Sequence, residues 1–215
     1  MRSNAPSGAG ASPEVLRVGL TGGLATGKSF VGQCLVRSGC HLLKADEIGH
    51  QVIEPGGAAY QKVVEFFGPE ILVPEGRIDR RKLGAIVFSD PERLRLLNSL
   101  IHPAVIRREE EWFEQLQAAD PKAIGVVEAA ILIETGSYRR FDRIVLVVCA
   151  PEQQVERAMR RDALSREEVQ ARIARQMPLD EKRAYAHWVI DTSGDKRDTE
   201  TQVLELYNQL RRLAE

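Results

Sequence analysis

No uninterrupted apolar stretch in this 215-residue chain is long enough to cross a bilayer. Excess charge is missing too: 30 Lys and Arg stand against 31 Asp and Glu, a formal net charge of -1. A balanced chain carries no broad electrostatic footprint for DNA or RNA, so an anion site must be local. No nucleic-acid partner and no membrane are expected. Cysteine is scarce. Cys34, Cys40 and Cys149 match the spacing of neither a zinc site nor a disulfide framework, which leaves reduced structural thiols and a cytoplasmic setting. There are no internal repeats. Residues 1–13 are small and polar, with two prolines, and lack the apolar centre of a signal peptide. They read as a disordered tail, native or appended. What remains is an ordinary globular composition, 43% hydrophobic and 28% charged, with enough chain for one sizeable core.

The stretch Gly22-Gly23-Leu24-Ala25-Thr26-Gly27-Lys28-Ser29 fits G-x-x-x-x-G-K-[ST] at every fixed position. An apolar run, Val15 to Leu20, precedes it, and Phe30, Val31, Cys34 and Leu35 follow at helical spacing. Strand, glycine-rich loop and helix together are the context in which the pattern cradles phosphate. Gly22 and Gly27 permit backbone angles that side chains disfavour, so successive N–H groups can wrap an anion. The helix start adds its positive dipole end. Lys28 is a point charge for the outer phosphates, Ser29 offers a hydroxyl to Mg²⁺, and the Phe30 amide is expected to face the α-phosphate. A nucleoside triphosphate is the expected ligand.

Further along, His41 to Lys44 reads as a short strand, and Asp46 follows at its carboxyl end, where ligands gather in open α/β sheets. An Asp there also suits a helix cap, and both roles fit. Residues 58–119 contain no convincing strand. Ala58 to Phe67 reads as helical, Arg77 to Phe88 holds a short helix with Asp79 as cap, and two amphipathic helices follow, Pro91 to Ile101 and Pro103 to Leu116. Ala123 to Val127, ending in Glu128, Arg143 to Val148, and Trp188 to Asp191 complete five strands of a parallel sheet flanked by helices. Pro151 opens a polar, arginine-rich helical stretch over 152–185, and Val203, Leu206, Tyr207, Leu210 and Leu213 mark a closing helix. Those arginines suit a solvated surface with ion pairs. Arg157 and Arg161 suit more: at i and i+4 they share a face, and two guanidinium groups side by side call for an anion between them.

A phosphate loop alone means only that a nucleoside triphosphate binds. The guanine-reading N-K-x-D of a GTPase is absent, and a mechanical ATPase needs more chain. A small-molecule kinase fits: it needs an acceptor, an acid to orient it, Mg²⁺ and cations about the moving phosphoryl group. Several segments make the resemblance specific. They are Gly19-Leu20-Thr21-Gly22-Gly23 into Gly27-Lys28-Ser29, Ala45-Asp46-Glu47-Ile48-Gly49-His50, Ile101-His102-Pro103, Leu132-Ile133-Glu134-Thr135-Gly136, Gln154-Val155-Glu156-Arg157 through Arg161-Asp162, and Ala174-Arg175-Gln176-Met177-Pro178. In this order they resemble the dephospho-coenzyme A kinases.

The resemblance implies a phosphate-loop NTPase fold like that of the nucleoside monophosphate kinases. The core spans 14–45, 120–151 and 186–215, with a helical acceptor domain over 46–119 and a lid over 152–185. It implies transfer of the ATP γ-phosphoryl group to the ribose 3′-hydroxyl of dephospho-coenzyme A, with Asp46, Lys28 and Arg157 as catalytic residues. Residues Gly22 to Phe30 with Arg157 and Arg161 hold ATP, and Asp46, His102 and Glu128 the acceptor side. His102 suits a capping or buried polar residue equally. The oligomeric state stays open, with a monomer favoured. The departures are Lys44 for a usual Asp, Glu128-Ala129-Ala130 for Asp-x-Pro, Leu24-Ala25-Thr26 for smaller residues, and Thr192 for an Asn near the adenine. Glu128 keeps a carboxylate, with longer reach, for a metal's outer shell. The alternatives are another small-molecule kinase on this fold and an ATP-binding regulator that transfers nothing.

Overall fold

The apolar runs pair with one another because burial is the only favourable setting for residues apolar on both faces. In the computed structural model, which describes residues 14–88 and 90–215, they form β1 (Leu16–Gly22), β2 (His41–Lys44), β3 (Ile124–Glu128), β4 (Arg143–Val148) and β5 (Trp188–Asp191). The tail expected over 1–13 lies outside the described residues. The five strands make one all-parallel sheet in the order β2-β3-β1-β4-β5. The chain leaves β1 for β2, returns to β3, then crosses to β4 and β5, so the order reverses about β1. That reversal opens a crevice at the carboxyl ends of the strands, and Gly22 closes β1 at that end.

Helices cover both faces. Helix α1 (Lys28–Ser38) packs Val31 and Leu35 on one face beside Val203, Leu206 and Leu210 of the closing helix, while Leu213 stays exposed, contrary to the apolar stripe expected there. That closing helix is α9 (Lys196–Ala214) when α2 to α8 are counted in chain order. Between β2 and β3 the chain forms α2 (Ala45–Gln51), α3 (Tyr60–Phe67), α4 (Arg80–Phe88) and α5 (Pro91–Ala119). These gather a second core from Ile48, Val63, Phe67, Leu83, Leu97 and Val105. Asp79 caps α4 as expected, its Oδ1 accepting from the amides of Arg81 and Lys82 at 2.9 and 3.2 Å.

Helix α5 corrects the sequence reading. The two helices expected on either side of His102 are one helix of 29 residues with Pro103 inside it. Its first half faces the second core, and its second half puts Phe113, fully buried, against the sheet beside Phe141. The polar stretch after β4 is helical, as expected, in several pieces. It breaks into α6 (Pro151–Asp162), α7 (Arg166–Ile173) and α8 (Leu179–Lys182). Ala163 ends α6 in the left-handed region at φ 52, and Ser165 and Glu168 start α7 with a reciprocal capping box.

Cys34, Cys40 and Cys149 are buried and unpaired. Burial pushes all three thiols up, Cys40 to about 12, which suits inert structural residues. Among the described residues, no helix is long and apolar enough to cross a membrane.

Candidate active site

The loop between β1 and α1 wraps as its glycines allow. Gly27 caps α1 in the left-handed region at φ 90. Gly22 is required by proximity: a Cβ there would lie 2.4 Å from the Val147 carbonyl oxygen. Ala25 also takes a positive φ, 54. Leu24 and Ala25, larger than the loop calls for, pack into a small cluster with Val155, Ala158 and Val169 of α6 and α7. Thr26 is buried and donates its hydroxyl to the Gly23 carbonyl at 3.1 Å. The Phe30 amide donates to the Gly27 carbonyl at 3.0 Å. It belongs to the first turn of α1, and Phe30 lines the cleft beside the loop.

Lys28 curls back over its own loop. Its ammonium donates to the carbonyls of Gly22 and Gly23 at 3.2 and 2.7 Å. Burial pushes its pKa down to about 8, against the pull of Glu128 and Asp46, while Lys182 and Arg161 add to the downward push. The Ser29 hydroxyl donates to Glu128 Oε1 at 2.8 Å. Glu128 is only 7% exposed, and its Oε2 is buried without a hydrogen-bond partner. A buried carboxylate oxygen without a hydrogen-bond donor, beside a hydroxyl oxygen, is a donor set that fits a divalent cation. Among the described residues no three His, Cys, Asp or Glu cluster. The arrangement suits Mg²⁺, which takes one or two protein oxygens and completes its shell with water and phosphate.

Asp46 is the second residue of α2, and Lys44, which makes no side-chain capping bond, holds the cap position. Asp46 is therefore not a cap. Its side chain lines a cleft of about 390 Å³ together with Leu24 to Phe30, Glu128, Arg157 and Arg161. It also lines a second, largely apolar cavity of about 550 Å³, whose polar wall includes His50, Arg80, His102 and Arg140. Among the described residues Asp46 alone lines both. His102 is thus apart from the loop and on the other side of Asp46. Burial lowers its pKa and so favours the neutral imidazole. Lys44 pairs with Glu47 at 2.7 Å and lines neither cavity.

The two arginines expected to share an anion are separately engaged. Arg157 donates to the Thr192 hydroxyl at 2.9 Å and to its carbonyl at 2.8 Å, and Arg161 forks onto Asp162 at 2.7 and 2.9 Å. The Thr192 hydroxyl in turn donates to the Thr26 carbonyl at 2.8 Å. A single threonine therefore ties α6 to the loop, a link that sequence reasoning missed. It also missed Gln176, whose side-chain oxygen accepts from the Leu24 amide at 2.8 Å. In the second cavity it missed Arg140, which bridges Glu109 at 2.7 Å and Glu110 at 2.6 Å. Burial holds the Glu109 carboxyl above its usual range. At Glu110 burial pushes the same way, but Arg140 and Arg17 outweigh it.

The profile of the dephospho-CoA kinases matches residues 16–198. The chain belongs to the dephospho-CoA kinase family. A dephospho-CoA kinase domain-containing protein of Danio rerio is 45% identical over 196 residues, covering 90% of this chain and 84% of its own. The dephospho-CoA kinase of Geobacter metallireducens is 40% identical, with 91% and 96% covered. Among solved structures, a Thermus thermophilus protein superposes with a TM-score of 0.80 at 35% identity, over 91% of this chain and 97% of that one. The dephospho-CoA kinase of Campylobacter jejuni does so with 0.67 at 25% identity, over 91% and 96%. For a member of this family, the five-stranded parallel sheet and the phosphate loop at its switch point are the expected frame, and both are present.

Proposed function

We propose that this dephospho-CoA kinase family member transfers the γ-phosphoryl group of ATP to the ribose 3′-hydroxyl of dephospho-coenzyme A, giving coenzyme A. The observation that carries the reading is Asp46, the one residue among those described that lines both the phosphate-loop cleft and the apolar cavity. A carboxylate at that junction can accept a hydrogen bond from an acceptor hydroxyl and aim its oxygen along the line of transfer. Orientation matters more than full proton removal, because the transition state is loose and a ribose hydroxyl is a very weak acid.

In this reading residues 46–119 form the acceptor domain and 152–185 the lid, on the core of 14–45, 120–151 and 186–215. The loop from Gly22 to Phe30 holds ATP, and Lys28 exchanges the carbonyls of Gly22 and Gly23 for phosphate oxygens. Arg157 and Arg161 face the same cleft and supply positive charge over the group in transit. His102 is a neutral hydrogen-bonding group in the acceptor cavity. Ser29, with Glu128 in the outer shell, would hold Mg²⁺, which neutralises charge shared between the β- and γ-phosphates. The reading includes a monomer in a cytoplasmic setting, the latter supported by three buried, unpaired thiols.

The test is a coupled assay of ADP release with dephospho-coenzyme A, adenosine, AMP and shikimate as alternative acceptors. Turnover is expected with the first. Turnover with another and none with dephospho-coenzyme A overturns the assignment, and ATP binding without turnover on any acceptor points to a regulator.

A further inference from the structure

Lys182 is 0% exposed, yet it carries an ammonium group. Its Nζ pairs with Glu134 Oε1 at 2.7 Å and donates to the Ala130 carbonyl at 3.1 Å. A buried ion pair contributes little net stability, and an apolar side chain of similar length would fill the same space without the desolvation cost. The ammonium adds directed bonds between segments far apart in sequence.

Those segments are the ones that the transfer must keep in register. Ala129 lines the acceptor cavity and Ala130 the nucleotide cleft, so the turn after β3 is the seam between them. The Ala130 carbonyl accepts from Lys182 and, at 3.4 Å, from the Thr21 hydroxyl at the end of β1. Glu134 sits at the far end of the same turn, and its Oε1 also accepts from the Met177 amide at 3.2 Å. One residue earlier, Gln176 holds the Leu24 amide of the phosphate loop at 2.8 Å. Within seven residues, 176 to 182, the chain grips the donor loop once and the seam three times.

We propose that Lys182, through its ion pair with Glu134, is a positioning residue for phosphoryl transfer, holding the turn between the two cavities in register with the phosphate loop. It touches neither substrate: Lys182 lines neither cavity. Without it the acceptor hydroxyl and the phosphoryl group lose their alignment while each substrate still binds. A misplacement on the order of 1 Å costs about a hundredfold in rate, and an acceptor out of line lets water compete for the phosphoryl group.

The proposal rests on the kinase reading, and the experiment separates the two. ADP released per coenzyme A formed is measured for the wild type, Lys182→Met and Glu134→Gln, alongside kcat, KM for dephospho-coenzyme A, and ATP affinity by calorimetry. In both variants ATP affinity and KM are expected within about threefold of wild type, with kcat down about tenfold to a hundredfold. The ratio of ADP to product, one in the wild type, is expected to rise above one. Loss of properly folded molecules would lower every rate in proportion and leave the ratio at one, which overturns the proposal. So does a kcat within twofold of wild type, or a rise in KM alone. Should Lys182→Met fail to fold, Glu134→Gln keeps the side-chain shape and an acceptor oxygen and removes only the charge, and its ratio decides the matter. A wild type that binds ATP but phosphorylates no dephospho-coenzyme A overturns the kinase reading instead.

Discussion

The Lys28 ammonium lies against the carbonyls of Gly22 and Gly23, with a pKa brought down to about 8 by burial. Bound phosphate favours the charged form, so the folded protein's Lys28 has a higher pKa with ATP than without it. Binding therefore takes up a proton once the pH exceeds the free value. ATP affinity is expected to fall as the pH rises through about 8, approaching tenfold per pH unit. Calorimetric titrations between pH 7 and 9.5 check this, and an affinity level through pH 9 contradicts it. The loop was legible because its chemistry lies within eight consecutive residues. Thr192, Gln176 and Lys182 were not, because their partners Thr26, Leu24 and Ala130 lie 166, 152 and 52 positions away. Lys182 had no signal at all: a lysine in a polar stretch looks like any solvated lysine until its partners fold around it.

At the scale of elements, strands were read within one or two residues of their bounds because parallel strands covered on both faces are near-continuous apolar runs. Helix α5 was misread for two physical reasons. Pro103 normally ends a helix, and the apolar stripe changes direction beside it. The first half, with Leu94, Leu97 and Val105, serves the second core, and the second half, with Phe113 and Leu116, serves the sheet. One rod supporting two cores looks in sequence like two helices. Proline inside it still lacks the N–H that a helix interior uses. Pro103→Ala is accordingly expected to stabilise the protein, by about 1–3 kcal/mol, as read by urea denaturation. A loss of stability would mean that the proline ring itself is needed where α5 passes from one core to the other.

For the molecule as a whole, the decisive arrangement is the meeting of two cavities at Asp46. In the proposed reading, donor binding and group transfer then have separate determinants. Asp46→Asn keeps the side-chain volume and removes the charge. It is expected to leave ATP affinity within about threefold of wild type while turnover falls by about a hundredfold or more, the scale of a lost acid–base contribution. A collapse of ATP affinity instead would make Asp46 a metal ligand and reassign its role. The sequence placed Asp46 beyond the strand that brings it to the site. That it faces both cavities depended on how α2 and α5 pack, which no local pattern encodes.

The narrowness of that meeting point has a consequence for divergence. The apolar cavity and the phosphate-loop cleft, acceptor and donor compartments in the proposed reading, meet at Asp46 and at the neighbours Ala129 and Ala130, which line one each. Much of the rest of the acceptor wall comes from α2, α4 and α5, inserted between two strands of the sheet. On that reading a lineage could redraw those helices, and so trade one acceptor for another, without disturbing the phosphate machinery, provided Asp46 keeps its place between the two cavities. The fold is modular at its largest scale, and its two compartments meet over only a few residues.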